Sequence, residues 1–261
     1  MTESIIAADG IELDATWQPV SGDLRGAVLL VHGINANKDE GGMYRRLAEY
    51  LASQGLASLR FSFRGHGDSE GQQRGATVSG EMLDLWAAMD SLTERVGPGH
   101  PIFVVSSSFG TVATGLLLPF LKSRYDIQGL VLWNPVLDVA GTFVCPRTPW
   151  ARENFTKDAY DMLDREGYML LDGEFEVGRV LADEMGRLDP RPSIASSGLP
   201  LLIIHGDADR YVDYHVSATF AAHAKAALVT IAGSDHGFDE PSDEATAVRE
   251  TASWIGKHIA A

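Results

Sequence analysis

The sequence is poor in cysteine and in basic residues. Cys145 is the only cysteine among 261 residues, so no disulfide can form within the chain, as is typical of a reducing compartment. We interpret Cys145 as a packing residue. Lys and Arg number 21 against 36 Asp and Glu, which gives a net charge of −15. Because this charge repels nucleic-acid phosphates and anionic lipid head groups, we expect no nucleic-acid partner and no membrane partner.

Long hydrophobic runs are also missing from the sequence. No stretch offers about 18 uninterrupted apolar residues, and residues 1–10 carry two acids but neither a basic nor an apolar segment. We therefore expect a soluble, cytoplasmic protein. The length suits one domain with a large core, and 45% hydrophobic with 22% charged residues is ordinary for a globular protein. The composition leaves the oligomeric state open, including a homodimer.

The pattern of apolar residues predicts an α/β fold. Residues 4–20 alternate around Asp9-Gly10, which predicts an N-terminal antiparallel hairpin. Six short runs rich in Val, Ile and Leu are typical of parallel strands buried on both faces: 26–33, 55–63, 101–107, 127–135, 199–206 and 226–233. Segments of helical period lie between or after them, at 44–53, 81–96, 109–123 and 243–258. This alternation predicts a mostly parallel, doubly wound sheet with its ligands at the carboxyl ends of the strands.

One segment departs from this alternation. Residues 138–197 contain four prolines and short helical pieces such as 176–185, and they are too long for a plain connection. We interpret 138–197 as a small cap inserted into a core formed by 1–137 and 198–261. The cap is expected to cover the strand ends.

Three consecutive serines follow the run that ends near residue 105. A nucleophile on a sharp strand-to-helix turn needs small residues two positions before and two positions after it. Ser106 and Ser107 each have a bulky residue at one of these positions, whereas Ser108 has Ser106 and Gly110. The pattern therefore indicates Ser108 as the nucleophile, against a reading of the stretch as a serine-rich strand end.

A serine hydroxyl needs a base within hydrogen-bonding distance, usually a histidine oriented by a carboxylate. His236 follows the last apolar run and is bracketed by glycines, so it is the candidate base. Asp209 is the preferred acid, with Asp207 and Asp138 as rivals at other strand ends. Asp235, next to the histidine, is interpreted as a solvated acid.

Acyl transfer also requires donors for the developing oxyanion. The backbone N–H of Phe109, at a helix N-terminus, is one candidate, and that of Ile34, after the run ending at His32-Gly33, is the other. Asn35 is either a pocket residue or a turn former. Aromatic residues in or near the cap are candidates for an apolar pocket or for ordinary cap core, and they are Trp133, Phe143, Trp150, Phe155 and Tyr160.

No cofactor or metal is expected. His32, His66 and His205 lie next to glycines without the spacing of metal ligands, so we interpret them as structural residues in turns. Gly65 and Gly67 lie in a loop that lacks the lysine of a nucleotide site and are expected to shape a tight turn, with Arg64 and His66 bracing it.

These motifs together resemble the α/β-hydrolase superfamily over nearly the whole chain. The resemblance is closest to serine esterases of the feruloyl or cinnamoyl esterase and monoacylglycerol lipase type, and it implies a Ser–His–Asp mechanism by Ser108, His236 and Asp209 without a cofactor. The motifs are VHG at 31–33, RFSFRGHGDSEG at 60–71, SSSFG at 106–110, HGDADRYVD at 205–213 and GSDHGF at 233–238. Ser106 departs from the family, in which glycine is common, and its hydroxyl could bond locally and reshape the turn.

The expected function is hydrolysis of a small or medium carboxylic ester through an acyl-enzyme. A weaker similarity to bacterial acyl-carrier-protein thioesterases of the luciferase system, through the serine stretch and WNPVLD at 133–138, keeps a thioesterase or acyltransferase open. A non-catalytic binding protein on the same fold is the alternative from a different class.

Overall fold

The computed structural model describes residues 2–259, and its centre is a mixed eight-stranded sheet. The order in this sheet is β1-β2-β4-β3-β5-β6-β9-β10, and β7 pairs with β8 in a separate hairpin. The strands are β1 (Thr2–Ile6), β2 (Glu12–Gln18), β3 (Gly26–Val31), β4 (Leu56–Phe61), β5 (Ile102–Ser107), β6 (Ile127–Trp133), β7 (Tyr168–Leu171), β8 (Phe175–Gly178), β9 (Leu201–Gly206) and β10 (Ala227–Ile231). Strands β1 and β2 are antiparallel to their neighbours, and the remaining main-sheet pairs are parallel.

Helices cover both faces of the main sheet. Helices α1 and α10 pack on one face and α2 and α3 on the other, each pair against its own apolar cluster. The helices are α1 (Met43–Ser53), α2 (Val78–Val96), α3 (Gly110–Arg124), α4 (Val139–Phe143), α5 (Pro149–Asn154), α6 (Lys157–Glu166), α7 (Arg179–Met185), α8 (Arg191–Ala195), α9 (Tyr214–Ala224) and α10 (Pro241–Ile259). Between residues 2 and 259, no helix combines the length and the hydrophobicity needed to cross a membrane.

The predicted sheet is confirmed, with one correction at its edge. The apolar runs coincide with β3, β4, β5, β6, β9 and β10, and the N-terminal hairpin with β1 and β2. Strand β10, predicted as buried on both faces, instead lies at the edge and exposes Ala227 and Thr230. Strand β10 pairs only with β9 among the described residues. Helices α9 and α10 contact it but leave these two residues exposed.

Two local expectations are wrong. The segment 176–185, predicted as helical, begins as the end of strand β8, and only Arg179–Met185 is helical. Pairing with β7 explains this difference. Phe175 and Val177 alternate with Glu176 as they do in a strand, and both are buried in the core. Cys145, interpreted as a packing residue, is exposed after α4.

The segment between β6 and β9 contains α4 to α8 and the β7–β8 hairpin. Its apolar residues are continuous with the cluster beneath the sheet, and Phe143, Phe155 and Phe175 are among them. The segment therefore packs on the core through shared buried surface, which fixes it over the carboxyl ends of the strands. The division of the chain into a core and a cap stays a prediction.

Candidate active site

Ser108 occupies the turn between β5 and α3 in a left-handed backbone conformation, with φ +47°. Its N–H donates to Trp133 O at 2.9 Å, and its carbonyl accepts from Val136 N at 3.0 Å. These bonds fix the turn to the end of β6. A non-glycine residue at positive φ is strained, and such strain is concentrated at functional sites.

The flanking small residues are required for different reasons. A Cβ added to Gly110 would lie 2.3 Å from His32 O, so α3 can begin this close to β3 only with glycine there. Ser106 is fully buried, and its Oγ lies 2.7 Å from Thr114 Oγ1 in α3. The extra hydroxyl of Ser106 therefore bonds to the helix, and it leaves the turn intact.

The structure brings Ser108, His236 and Asp209 together. His236 Nε2 lies 2.9 Å from Ser108 Oγ, and His236 Nδ1 lies 2.7 Å from Asp209 Oδ2. An ionised carboxylate only accepts, so the imidazole proton belongs on Nδ1 and Nε2 accepts from the serine hydroxyl. The geometry matches that of a nucleophile, a base and an orienting acid.

The carboxyl group of Asp209 is fully buried and has four hydrogen-bonding partners. Its Oδ1 accepts from Tyr211 N at 2.7 Å and Val212 N at 2.9 Å, and its Oδ2 lies 3.0 Å from His205 Nε2 in addition to His236. Burial opposes ionisation, but the charge of His236 and the hydrogen bonds from His205 and His236 outweigh it. They hold the pKa of Asp209 well below its usual range.

His205 was interpreted only as a structural residue in a turn, and the sequence analysis missed its contact with Asp209. Its Nδ1 lies 2.8 Å from Ser217 Oγ in α9, which fits a ring protonated on Nε2 and donating to the carboxylate. His205 and Asp209 are four positions apart in HGDAD at 205–209, and this spacing was the signal in the sequence that could have indicated their contact.

The rival acids have other partners. Asp207 Oδ1 accepts from Gly233 N at 2.6 Å, and Asp138 caps α4 by accepting from Gly141 N at 3.1 Å. Asp138 also lies 3.4 Å from Arg147. Neither Asp207 nor Asp138 reaches His236.

The loop that carries His236 is anchored by two polar side chains. Asp235, interpreted as a solvated acid, accepts from His236 N at 2.7 Å and Arg210 N at 2.8 Å, and Asn134 Nδ2 donates to His236 O. Burial alone would lower the pKa of His236, but the Asp209, Glu40 and Asp235 carboxylates raise it above the usual histidine value. The site therefore favours the imidazolium that proton transfer from Ser108 would create.

Two backbone N–H groups, those of Ile34 and Phe109, are the candidates for oxyanion donors near Ser108. Within residues 2–259, the N–H groups of Ile34 and Phe109 have no protein acceptor, whereas that of Gly33 donates to Glu40 Oε2 at 2.8 Å. Asn35 follows at φ +55°, a conformation that asparagine tolerates well. Both N–H groups are therefore available for a ligand, and their role as oxyanion donors stays a prediction.

A cavity of 190 Å³ opens above Ser108 and His236. Asn35, Phe143 and Trp150 line it, but Trp133 does not: this prediction is wrong, because Trp133 is buried on the opposite face and donates to Thr251 Oγ1 of α10 at 2.9 Å. The lining residues are Ile34, Asn35, Ala36, Glu40, Ser108, Val136, Thr142, Phe143, Trp150, Asp172, Tyr211, Val212 and His236. A larger cavity of 670 Å³ lies beside α8 and α9 and contains neither Ser108 nor His236.

The sequence analysis did not single out Glu40, Asp172 or Tyr211, which also line the cavity. Tyr211 stacks on His236 with ring centroids 5.0 Å apart, and Trp150 stacks on Tyr211 at 5.1 Å. An unusual backbone is the shared feature of the two acids, since Glu40 has φ +45° and Asp172 has φ +53°. Sequence patterns do not report this feature.

The other two histidines that the sequence analysis interprets as structural, His32 and His66, make contacts within the fold. His32 Nε2 accepts from Phe63 N at 2.9 Å and its Nδ1 lies 2.7 Å from Gly33 O, so both ring nitrogens are occupied. Burial lowers the pKa of His66 to about 4, which keeps this ring neutral. Among the described residues, no group of three or more His, Cys, Asp or Glu side chains is arranged to hold a metal ion.

Comparison with known proteins gives a consistent family. The family model described as serine aminopeptidase, S33, matches residues 22–163, more than half of the chain. The lysophosphatidylserine lipase ABHD12 of Danio rerio is 27% identical over 207 residues, which cover 78% of this chain and 48% of that protein. The chain thus spans about half the length of this relative. The monoacylglycerol lipase of Mycolicibacterium smegmatis is 25% identical over 93% of this chain and 92% of its own.

Solved structures share the fold. The esterase Est1E of Butyrivibrio proteoclasticus, solved with ferulic acid bound, superposes with a TM-score of 0.81 at 22% identity over the whole of both chains. The Pyrococcus furiosus esterase Pf2001 gives 0.72 at 18% identity, covering 99% of this chain and 92% of that one. The sheet order, the turn at Ser108 and the family match lead to one assignment: the chain belongs to the serine aminopeptidase S33 family of hydrolases, within the α/β-hydrolase superfamily.

Proposed function

We propose that this protein is a serine hydrolase that cleaves a carboxylic ester through an acyl-enzyme intermediate. The observation that carries the proposal is the unbroken pair of hydrogen bonds from Ser108 through His236 to Asp209. Membership in a hydrolase family and relatives named as lipases support ester hydrolysis.

In the acylation step, Ser108 Oγ attacks the ester carbonyl carbon while its proton passes to His236 Nε2. Asp209 stabilises the imidazolium that results. The carbonyl oxygen becomes an oxyanion, which accepts from the N–H groups of Ile34 and Phe109. The tetrahedral intermediate then collapses, the bond to the alcohol oxygen breaks, and His236 returns the proton to that oxygen.

Deacylation repeats the sequence with water. His236 Nε2 takes a proton from water as the water oxygen attacks the acyl carbon of the Ser108 ester. Collapse of the second intermediate releases the carboxylic acid and restores the serine hydroxyl. The acyl group and the alcohol share a cavity of 190 Å³, a volume that favours small or medium substrates.

Covalent labelling tests the nucleophile directly. The protein is incubated with a fluorophosphonate, and its intact mass is measured before peptide mapping. We expect one adduct on Ser108, absent in Ser108→Ala and retained in the matched control Ser107→Ala. An adduct on Ser106 or Ser107 would disprove the assignment, and the absence of any adduct would favour a binding protein.

A substrate panel then tests the reaction class. Oxoesters and thioesters with the same acyl group are compared, with and without an added alcohol as acceptor, and an aminoacyl nitroanilide is included because of the family's description. We expect the highest kcat/KM for an oxoester, with free acid as the product. A thioester preference, transfer to the alcohol or turnover of the anilide alone would each replace the proposed reaction by another on the same residues.

A further inference from the structure

The cavity above Ser108 is unusual in its charges. Glu40 and Asp172 line it, and His236 is the only basic residue among its lining residues within 2–259. Neither carboxyl group lies within 4 Å of a Lys, Arg or His nitrogen in this described part of the chain. The cavity thus contains two acidic groups without a cationic partner.

Glu40 lies close to the reacting groups. Its Oε2 accepts from Gly33 N at 2.8 Å, and a Cβ on Gly33 would lie 3.6 Å from Glu40 Oε1 and 3.4 Å from Ser108 Oγ. The charged neighbours of Glu40 in its own loop are paired elsewhere, Lys38 with Asp14 and Asp39 with Arg60. The carboxyl group therefore contributes negative charge to the cavity when it is ionised, and its loop supplies no positive charge to balance it.

Asp172 lies at the tip of the β7–β8 hairpin, and its position is fixed. Its Oδ1 accepts from Trp150 Nε1 at 2.7 Å and Asn154 Nδ2 at 3.1 Å, and its own N–H donates to Asn154 Oδ1 at 2.6 Å. The bonds to Oδ1 leave Oδ2 free to interact with a ligand. The side chain is held in place before any ligand arrives, which reduces the ordering cost of binding.

The surroundings of Tyr211 extend this negative field. Burial raises the pKa of Tyr211, and the charges of Asp172, Asp235 and Asp239 raise it further against the single positive charge of Arg210. A carboxylate in a partly dehydrated cavity is costly without a counter-charge, and this applies to Glu40, since Asp172 is exposed to solvent. A cation in this cavity would supply that counter-charge, whereas an anion would be repelled.

The positions of these groups relative to His236 indicate which part of the substrate they meet. His236 returns its proton to the alcohol oxygen, so the leaving group lies on the imidazole side. Tyr211 stacks on His236, Trp150 stacks on Tyr211, and Trp150 donates to Asp172. These contacts connect Asp172 to the imidazole side of the cavity, where the leaving alcohol is expected.

We propose that the pocket selects carboxylic esters whose alcohol carries a positive charge, such as an amino alcohol, and discriminates against esters of anionic alcohols. The inference rests on the proposed function, because it assigns the substrate class of the same site. Glu40 and Asp172 are the specificity-determining residues, and neither takes part in the bond-making steps.

Ionisation of Glu40 makes this selectivity depend on pH. Burial raises the pKa of Glu40 to about 7, in spite of the Gly33 N–H, the Ser107 hydroxyl and the charge of His236, which favour its ionised form. The titratable groups facing it are His236 from the loop after β10 and Tyr44 from α1. As the pH rises through neutrality Glu40 gains charge, so the preference for a cationic alcohol increases.

Isosteric substrates test the proposal. The choline ester and the 3,3-dimethylbutyl ester of one acid differ only in N⁺ for carbon, and a 3-sulfopropyl ester supplies the negative charge. We expect kcat/KM to be about tenfold higher for the choline ester than for its neutral isostere, and lower again for the sulfonate, since charges a few ångströms apart interact strongly at a protein surface. Both substrates require His236 as the base, so its titration cancels in the ratio of the two kcat/KM values. We expect this choline-to-neutral ratio to rise between pH 6 and 8.

Variants assign the effect to the two residues. Glu40→Gln should reduce the ratio severalfold and abolish its rise with pH, and Asp172→Asn should reduce it at every pH. Asparagine tolerates the positive φ of Asp172 and retains an acceptor for Trp150. Glu174→Gln removes the same charge from the same hairpin outside the cavity, and we expect it to leave the ratio unchanged.

Binding separates this proposal from the proposed function. Choline and 3,3-dimethylbutan-1-ol are titrated into Ser108→Ala protein by ligand-observed NMR, which requires no turnover. Tighter binding of choline supports the inference even if no ester is hydrolysed. The absence of hydrolysis would refute only the proposed function. Equal binding, or equal kcat/KM values for the two isosteres, would overturn the inference while hydrolysis itself stands.

Discussion

At the scale of single residues, Asp209 depends on a donor that has no part in bond making. His205 Nε2 lies 3.0 Å from Asp209 Oδ2, the same oxygen that accepts the hydrogen bond from His236 Nδ1. A hydrogen bond to a charged group contributes about 1.5–3 kcal/mol, so we expect His205→Ala to lower kcat about tenfold or more. His205→Gln, whose amide can donate to the same carboxylate, should recover part of the loss in steady-state kinetics.

The exposed His223 of α9 supplies the control for that substitution. We expect His223→Ala to retain the parent kcat. If His205→Gln were as inactive as His205→Ala while both unfolded at the same temperature as the parent, the positioning role of His205 would be refuted.

The residues of the site differ in how far the sequence predicts them. Ser108, Asp209 and His236 follow from local rules, because each lies in a short turn next to an apolar strand, and the structure brings them together. Glu40 and Asp172 join the cavity only through loops and a hairpin that fold back from distant positions. No local pattern marks that return, nor does any mark the burial of Trp133 against α10.

At the scale of elements, the backbone at the start of α3 packs directly against the backbone at the end of β3, which leaves no room for a side chain at Gly110. A Cβ on Gly110 would lie 2.3 Å from His32 O, and a main-chain atom cannot move away as a side chain does. We expect Gly110→Ala to shift α3, lower kcat/KM about 100-fold and reduce the free energy of unfolding by about 1–3 kcal/mol. Gly256→Ala in α10, where a Cβ meets no atom within 4 Å, should instead be neutral or stabilising in urea titrations.

Helix α2 contains a second element-scale feature, a buried acid. Glu81 is 2% exposed, its Oε2 has no partner within the described chain, and burial beside Asp84 and Glu184 raises its pKa well above the usual range. The folded state therefore holds the proton more tightly than the unfolded state does. The stability from this group is complete below the unfolded pKa of about 4.3 and is lost as the pH rises towards the folded value.

A neutral isostere removes that pH dependence. We expect Glu81→Gln to match the parent near pH 4.5 and to exceed its free energy of unfolding by about 1 kcal/mol or more at pH 8, as measured by urea titration at both pH values. Glu94→Gln, an exposed residue of the same helix, should show no such divergence. Equal stabilities of Glu81→Gln and the parent at pH 8 would mean that Glu81 is not buried as an acid.

The sequence predicts an element well where its pattern of burial is one-sided or complete. It predicts an element poorly where pairing with a distant segment decides between helix and strand. Strands β3, β4 and β5 are buried along their whole length, so the composition of each run was sufficient. Residues 176–178 carry a pattern compatible with a helix, and pairing with β7 makes them a strand. Such pairing is a non-local contact, which a single window of sequence does not contain.

At the scale of the whole molecule, the net charge of −15 acts on stability as well as on partner choice. Like charges spread over one compact body repel one another and favour the expanded state. Added salt screens that repulsion, because the Debye length falls from about 30 Å at 0.01 M to about 3 Å at 1 M. Thermal stability at low ionic strength should therefore carry a penalty that salt removes.

Three exposed acids allow this penalty to be measured without disturbing a contact. Glu94, Glu174 and Glu250 form no ion pair within residues 2–259, and replacing all three by glutamine changes the net charge from −15 to −12. We expect the triple variant to melt about 1–3 °C above the parent in 10 mM NaCl and at the same temperature in 0.5 M NaCl, by circular dichroism. A difference that persisted in 0.5 M NaCl would assign the gain to local helix or hairpin propensity, because only a long-range electrostatic cause is removed by screening.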